Sequence, residues 1–199
     1  MAKASDPAPV RARRIRRDPD TTRALILDAA ERLMVEEGYA SVSSRRVAQD
    51  IGLNAATVHY YYAATDDLFV ALHRRMTDRQ VAALEAVLDA ENPLEAFWAL
   101  QSGEGQSALG VEFLALANHR KALATTFAQS TSEARQSFAA RLAGASGAAL
   151  DAQQALALVT ALTAIGRLLA NEARVGLGAG HAEVRGLVAD LLRRAACAI

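Results

Sequence analysis

The sequence of 199 residues has one cysteine, Cys197, so it cannot form an intramolecular disulfide or a cysteine-based metal cluster. Its histidines are scattered, without the spacing of metal ligands or of a catalytic pair: His59, His73, His119 and His181. We therefore expect no metal, no cofactor and no catalysis. An enzyme remains a competing hypothesis that a hydrolytic or redox activity would support.

The chain also lacks an apolar run long enough to span a bilayer, and its first residues lack the apolar segment of a signal peptide. These absences favour a cytoplasmic protein that does not bind membranes. Alternation of apolar and polar residues, typical of strands, is missing too, whereas apolar residues recur at helical spacing. The sequence therefore predicts an all-α fold.

Net charge is absent as a signal, because 22 basic residues balance 22 acidic ones. Five arginines nevertheless lie between Arg11 and Arg17. We expect residues 1–18 to form a flexible basic arm, which either adds phosphate contacts to DNA or is a solvated leader. Deleting residues 1–17 would distinguish the two, since only a DNA-binding arm contributes to the salt dependence of binding.

A helix is predicted to start at Asp18-Pro19 and to end at Gly38. Two short helices and a tight turn follow. Ser43 or Ser44 can cap the first of them, Gly52 allows the chain to reverse, and Asn54 can cap the second. The outer faces of that second helix carry hydrogen-bond donors and aromatic rings, which suit a DNA groove.

Residues 20–72 resemble the DNA-binding domain of the TetR (tetracycline-repressor-like) family of bacterial transcription regulators. The resemblance depends on a series of residues in register with the family pattern: Glu36, Gly38, Tyr39, Ser43, Ser44, Val47, Ala48, Gly52, Thr57, Val58, Tyr60, Tyr61, Asp66, Asp67 and Leu68. It implies a three-helix helix-turn-helix domain over residues 19–64. It further implies a helical effector-binding and dimerisation domain over residues 65–199.

By its chemistry, Arg45 is the side chain most able to pair with a guanine edge. The resemblance implies further contacts from the recognition helix. We assign base or thymine-methyl contacts to Ala55 and Thr57. We assign contacts with the phosphates or sugars of DNA to Ser43, Ser44, Asn54, His59, Tyr60 and Tyr61. Three positions depart from the family's usual residue: Ala56 (Gly), His59 (Tyr) and Thr65 (Lys). Thr65 supplies a weaker phosphate contact than lysine would, so affinity would depend more on Arg46 or the arm, and His59 could make binding pH-dependent.

Thr65 can cap a long helix that runs towards Leu88. Five more helices are predicted after it, over residues 93–101, 107–117, 119–142, 152–175 and 182–198. The last two carry apolar stripes that could pair with their copies in a homodimer, or belong to the intrachain core: Leu156, Val159, Thr163, Gly166 and Ala170, then Val184, Leu187, Val188, Leu191 and Leu192. The family resemblance favours the homodimer.

The resemblance also implies a small-molecule effector whose binding releases DNA. The candidate pocket residues are mostly aromatic: Phe97, Trp98, Gln101, Phe113, Leu116, Asn118, His119, Phe127 and Phe138. Because this region has few charges, we expect a largely apolar effector. The predicted function is a homodimeric, ligand-responsive regulator, a repressor on a palindromic operator. The alternative is an architectural DNA-binding protein without an effector.

Overall fold

The computed structural model describes residues 18–103, 107–145 and 150–197. These residues form α-helices and one 3₁₀ turn, with no strand among them, so the all-α prediction is confirmed. Apart from Asp18, the predicted basic arm lies outside the described residues. The helices are α1 (Pro19–Glu37), α2 (Ser44–Asp50), α3 (Ala55–Tyr61), α4 (Thr65–Leu88), α5 (Pro93–Ser102), α6 (Ser107–His119), α7 (Lys121–Ala145), α8 (Ala152–Arg174) and α9 (His181–Cys197), and the 3₁₀ turn is Tyr39–Ser41.

The predicted helix starts are confirmed at α1 and α3. The Asp18 carboxylate accepts hydrogen bonds from the backbone N–H groups of Asp20 and Thr21, at 3.1 and 3.0 Å. The Asn54 side-chain oxygen accepts one from the N–H of Ala56 at 3.0 Å. Each of these oxygens satisfies a first-turn donor that lacks an intrahelical partner.

The turn between α2 and α3 also follows the prediction. Ser43 caps α2 by accepting a hydrogen bond from the Arg46 N–H at 3.2 Å. Gly52 has φ +66°, in the left-handed region that side chains other than glycine rarely adopt. The chain can therefore reverse between α2 and α3 over only four residues.

The prediction that Thr65 caps α4 is wrong. The residue in the N-cap position is Ala64, and Thr65 is already helical. Alanine has no side-chain acceptor, so the stabilisation comes from inside the helix, where the Asp67 carboxylate accepts the Ala64 N–H at 2.9 Å. This carboxylate also lies favourably at the positive end of the helix dipole.

Buried side chains form two clusters. The first joins α1–α4 to α6 and α7, through side chains such as Phe69, Phe113 and Phe127. The second joins the far half of α4 to α5, α7, α8 and α9, around Phe97 and Phe138, whose rings stack at 5.0 Å. The three-helix unit therefore shares its core with α6 and α7, so movement of these helices can be transmitted to it.

The apolar stripe proposed for dimerisation on α8 instead faces the intrachain core. Val159, Thr163, Gly166 and Ala170 are all buried. At Gly166 the helices touch, because a Cβ there would lie 2.3 Å from the carbonyl oxygen of Gln101 on α5. The prediction that these residues are available to a second subunit is wrong.

A different apolar surface is exposed on the last two helices. Leu187 and Leu191 on α9 are 60% and 56% exposed, and Leu168 on α8 is 55% exposed. Val188 and Leu192, which the predicted α9 stripe also included, are buried in the second cluster. The apolar face that remains for a partner is therefore narrower than predicted, and on α8 it lies on the opposite side of the helix.

Among the described helices, α8 is long and apolar enough to span a membrane by length and composition, so the expectation that the chain lacks such a run is wrong. Its buried face packs in the second cluster, and its outer face carries Ala157, Ala161, Ala164 and Leu168. The helix α8 therefore has apolar residues on both its buried and its exposed face.

Candidate nucleic-acid interface and effector cavity

The outer surface of α3 is set by the direction of Val58, which is fully buried against the first cluster. By helical periodicity Ala56 and Tyr60 point the opposite way, and Tyr60 is 82% exposed. His59 is also exposed and Thr57 is half-buried at the flank. Ala55 is half-buried and packs partly against the core, so less of its surface can contact a base than the sequence suggested.

Arg45 and Arg46 are neighbours in α2 with different environments. Arg45 is exposed and has no hydrogen-bond or ion-pair partner among the described residues. Arg46 donates to Glu37 at 2.7 Å and lies 3.7 Å from Asp50. Arg45 is therefore free to contact a base edge, whereas the suggestion that Arg46 compensates for a missing lysine does not fit its pairing.

The two serines at the start of α2 also differ. Ser43 is half-buried and its hydroxyl caps the helix. Ser44 is 4% exposed, and its hydroxyl oxygen has no hydrogen-bond partner in the part of the chain that the structure describes. The predicted phosphate contact from the Ser44 side chain is therefore wrong for this structure, because that side chain points into the core.

The other proposed contacts keep a solvent-facing group. Asn54 uses its oxygen to cap α3, which leaves its amide N–H groups for a phosphate. His59 is exposed, and its Nδ1 lies 3.3 Å from the Ala63 carbonyl oxygen. Tyr61 is half-buried, with the Arg23 guanidinium 5.4 Å from its ring centre. Thr65 is half-buried in the first turn of α4.

Two surface positions were missed. Ala56 lies on the outermost ridge of α3, and Gln49 is exposed one turn after Arg45 on α2. The signal was available for both, since Ala56 lies opposite Val58 and Gln49 follows Arg45 by four residues. A glutamine amide can pair with an adenine edge, so Gln49 joins Arg45 as a candidate for base contact.

A cavity of about 470 Å³ lies between α4, α6, α7 and α8. Three of the predicted pocket residues line it: Phe113, Asn118 and Phe127. The remaining lining comes from one glycine and from side chains that the sequence analysis did not predict as pocket residues: His73, Met76, Gly110, Leu114, Ala117, Ala124, Ala128, Thr131, Ser132, Arg135, Gln136, Leu156, Thr160 and Arg167.

The other predicted pocket residues lie elsewhere. Phe97, Gln101 and Phe138 line a second cavity of about 40 Å³, too small for an effector. Trp98 and Leu116 are buried core residues that line neither cavity, and His119 stacks on Tyr39 with ring centres 5.9 Å apart. For Trp98, Leu116 and His119 the prediction is wrong, since aromatic and apolar residues at helical spacing more often fill cores than line pockets.

The expectation that this region has few charges is also wrong. Arg135 on α7 and Arg167 on α8 line the large cavity. Burial, together with the positive charge of Arg135, lowers the pKa of the Arg167 guanidinium. His73 is buried, with its ring 4.4 Å from that of Phe127 and 5.0 Å from that of Phe113, and burial lowers its pKa.

Several contacts connect the helices around the cavity to the three-helix unit. On α4, Arg75 pairs with Asp28 and Glu31 of α1. On α6, the Glu112 carboxylate accepts the backbone N–H of Tyr39 at 2.9 Å. On α8, Arg174 donates to the carbonyl oxygen of Val35 at 2.9 Å. Displacement of α4, α6 or α8 would therefore shift the second half of α1 or the turn that follows it.

Comparison with known proteins agrees with this geometry. Residues 26–72 match the family model of the bacterial regulatory proteins of the tetR family. The HTH-type transcriptional repressor Rv1474c of Mycobacterium tuberculosis is 38% identical over 60 residues, 30% of this chain and 32% of the repressor. The matched segment thus spans about a third of that relative's length.

Solved structures extend the similarity to the whole fold. The transcriptional regulator SCO7518 from Streptomyces coelicolor A3(2) has a TM-score of 0.68 at 25% identity, over 87% of this chain and 96% of that one. The multidrug binding protein EbrR, complexed with imidazole, has a TM-score of 0.61 at 27% identity, with the same coverage of both chains. TetR-type regulators are not enzymes, so these similarities disfavour the catalytic hypothesis. The resemblance to the TetR family is confirmed over residues 26–72, which match the family model, and the described chain has the fold of TetR-type transcriptional regulators.

Proposed function

We propose that this protein is a ligand-responsive transcriptional repressor that binds a palindromic operator as a homodimer in the cytoplasm. The observation that carries the proposal is the surface of α2 and α3. On α2, Arg45 is exposed and unpaired among the described residues. On α3, the outward-facing residues Ala56, His59 and Tyr60 are exposed and do not belong to the hydrophobic core. Free donors on a short second helix after a tight turn suit contact with base edges in the major groove.

The homodimer is supported by the exposed leucines of α8 and α9. Leu168, Leu187 and Leu191 expose more than half of their surface in the monomer. Pairing two copies of this face around a two-fold axis would form a four-helix interface and place one recognition helix in each half-site. Half-sites one turn apart lie about 34–36 Å from each other, so the dimer must hold α3 of each subunit at that separation.

Regulation is supported by the position of the cavity. Its walls come from α4, α6, α7 and α8, and α4 continues directly from the recognition helix after three residues. A ligand that binds better to one arrangement of these helices shifts the protein towards that arrangement. The similar fold of EbrR, which holds imidazole and is named a multidrug binding protein, supports a small-molecule effector here too.

Selection of bound duplexes from a random DNA pool tests the proposal against the architectural alternative. We expect the wild-type protein to enrich an inverted repeat. The Arg45→Ala variant should enrich a degenerate motif at the corresponding positions of both half-sites. The Arg74→Ala variant is the control, because Arg74 is exposed on α4 and lines neither described cavity. A pool without consensus would favour the architectural protein.

A further inference from the structure

Two arginines of the cavity lack an anionic partner. Arg135 and Arg167 line both the large cavity and the small one, so they lie where the two meet. Neither donates a hydrogen bond to any described residue, and no aspartate or glutamate lines either cavity. This distinguishes them from arginines such as Arg75 and Arg141, which pair with carboxylates.

The acidic residues of α6, α7 and α8 are engaged elsewhere. Glu112 on α6 accepts the Tyr39 N–H, Glu133 on α7 accepts the Gln129 amide at 2.9 Å, and Glu172 on α8 lies 2.8 Å from His181 Nε2. Compensation of Arg135 or Arg167 by a carboxylate of these three helices would require breaking one of these contacts.

Two half-buried guanidinium groups near each other oppose folding, because each loses hydration and each repels the other. The lowered pKa of Arg167 reflects both effects. Guanidinium nonetheless stays charged, and its fork of donors matches a carboxylate well. An anion in the cavity would reverse both costs, and the arginines would then favour the occupied state.

Another part of the cavity lining is apolar and aromatic. The rings of His73, Phe113 and Phe127 form a stacked and edge-to-face group that lines the large cavity but not the small one, and Leu114 also lines only the large cavity. Burial lowers the pKa of His73, so its ring is neutral near pH 7 and does not add a third cation. The cavity thus has a cationic side and an aromatic side.

We propose that the effector is an organic carboxylate, with its anionic group between Arg135 and Arg167 and its apolar or aromatic body against Phe113 and Phe127. This rests on the proposed function for the consequence of binding, but not for the binding itself. The carboxylate draws α7 and α8 together beside α4, the helix that follows the recognition helix.

Calorimetric titration without DNA tests the ligand class, with size-matched sets of probes. One set is phenylacetate, phenylacetamide and phenethylamine, and the other is octanoate, octanamide and octylamine. At least one carboxylate should bind at millimolar concentration or below, and its amide should bind about ten- to a hundred-fold more weakly, because a charge-assisted pair is lost. The amine should not bind. Equal binding of carboxylate and amide, preferred binding of an amine, or no binding by either carboxylate would overturn the proposal.

Phenyl phosphate forms a further arm, because arginines also bind phosphate esters. Tighter binding of phenyl phosphate than of both carboxylates would overturn the assignment to a carboxylate.

Substitution then tests the two residues. Arg167→Met and Arg135→Gln should each weaken binding of the best carboxylate by about ten- to a hundred-fold. The Arg167→Met variant without ligand should melt at the same temperature as the wild type or higher, since it removes an unpaired charge. Arg74→Met is the matched control and should leave binding unchanged. A large fall in the melting temperature of Arg167→Met, with binding of the carboxylate intact in Arg135→Gln, would show that the arginines are structural.

Displacement of the selected operator by the same carboxylate separates this proposal from the proposed function. Tight carboxylate binding without DNA release would support the assignment of the ligand class and contradict the regulatory role. DNA release by an amine or a neutral probe alone would retain the regulator and contradict the carboxylate.

Discussion

Arg45 and Arg167 are both unpaired among the described residues, and the difference lies in their surroundings. Arg45 faces solvent on α2, where a free guanidinium is fully hydrated and costs the fold little. Arg167 lies half-buried at the cavity, where burial and Arg135 lower its pKa. An exposed, hydrated cation does not destabilise the fold in the absence of DNA. A half-buried cation destabilises the fold unless an anion is bound beside it. The two proposed sites therefore differ in how binding would affect the protein: DNA would contact Arg45 with little change in the fold, and an anion at Arg167 would stabilise the fold.

The largest expected effect comes from disrupting the surface that would hold two recognition helices together. The double substitution Leu187→Asp with Leu191→Asp places charges in the exposed face of α9. We expect dissociation to monomers in sedimentation velocity. Operator affinity in fluorescence anisotropy should fall by about 10²- to 10⁴-fold, because the second half-site no longer binds intramolecularly. Val81→Asp, at an exposed position on α4, is the control. A monomeric wild type, or a dimeric variant, would contradict the interface.

Substituting each of the two arginines separately tests the comparison itself. Arg45→Ala should weaken operator binding by about 1–3 kcal/mol, the usual contribution of an arginine to a guanine, and leave the melting temperature unchanged. Arg167→Met should leave operator affinity unchanged and keep or raise the melting temperature. If Arg45→Ala weakened binding to operator and to random DNA equally, Arg45 would contact phosphate and not a base.

The close approach of α8 to α5 should be sensitive to one methyl group. Gly166→Ala brings a Cβ to 2.3 Å from the Gln101 carbonyl oxygen, so we expect about 1–3 kcal/mol of destabilisation in urea unfolding. Gly144→Ala on α7 is the matched control, because no atom lies within 4 Å of its added Cβ. It should stabilise by about 0.5–1 kcal/mol through helix propensity. Equal effects of the two substitutions would contradict the packing of α8 on α5.

The smallest expected effect is a pH dependence of stability due to His73. Burial lowers its folded pKa below the unfolded value of 6.5, so the unfolded chain binds a proton first as pH falls. Stability from this group is fully present above pH 6.5 and declines as pH falls towards the folded pKa. In urea unfolding across pH 7.5 to 5, we expect His73→Phe to flatten the profile and His59→Gln, at an exposed histidine, to leave it unchanged. An unaltered slope in His73→Phe would exclude the effect.

The sequence predicted the DNA-binding unit better than the cavity because the unit depends on local rules. Asp18 and Asn54 cap helices, Gly52 provides the turn, and the spacing around Val58 orients α3; each can be recognised within a few residues. Local rules still failed at Ser44 and Thr65. Several adjacent residues there could serve as the cap, and only packing decides which side chain points inward.

The cavity depends on contacts between residues far apart in the chain. His73, Phe113, Arg135 and Arg167 come from four helices, and the sequence contains no periodicity that predicts their meeting. The same limit explains the α8 stripe, since periodicity identified an apolar face but could not tell the face that packs on α5 from the one left for a partner. Aromatic residues at helical spacing do not by themselves distinguish a pocket from a core.

The most direct test of the central claim is the ratio of two dissociation constants, measured at physiological salt by fluorescence anisotropy. One is for the selected inverted repeat and the other for a scrambled duplex of the same composition. A sequence-specific homodimer should prefer the inverted repeat by at least about 10³-fold, with two protomers per duplex. A ratio near one, or one protomer per duplex at saturation, would contradict the account.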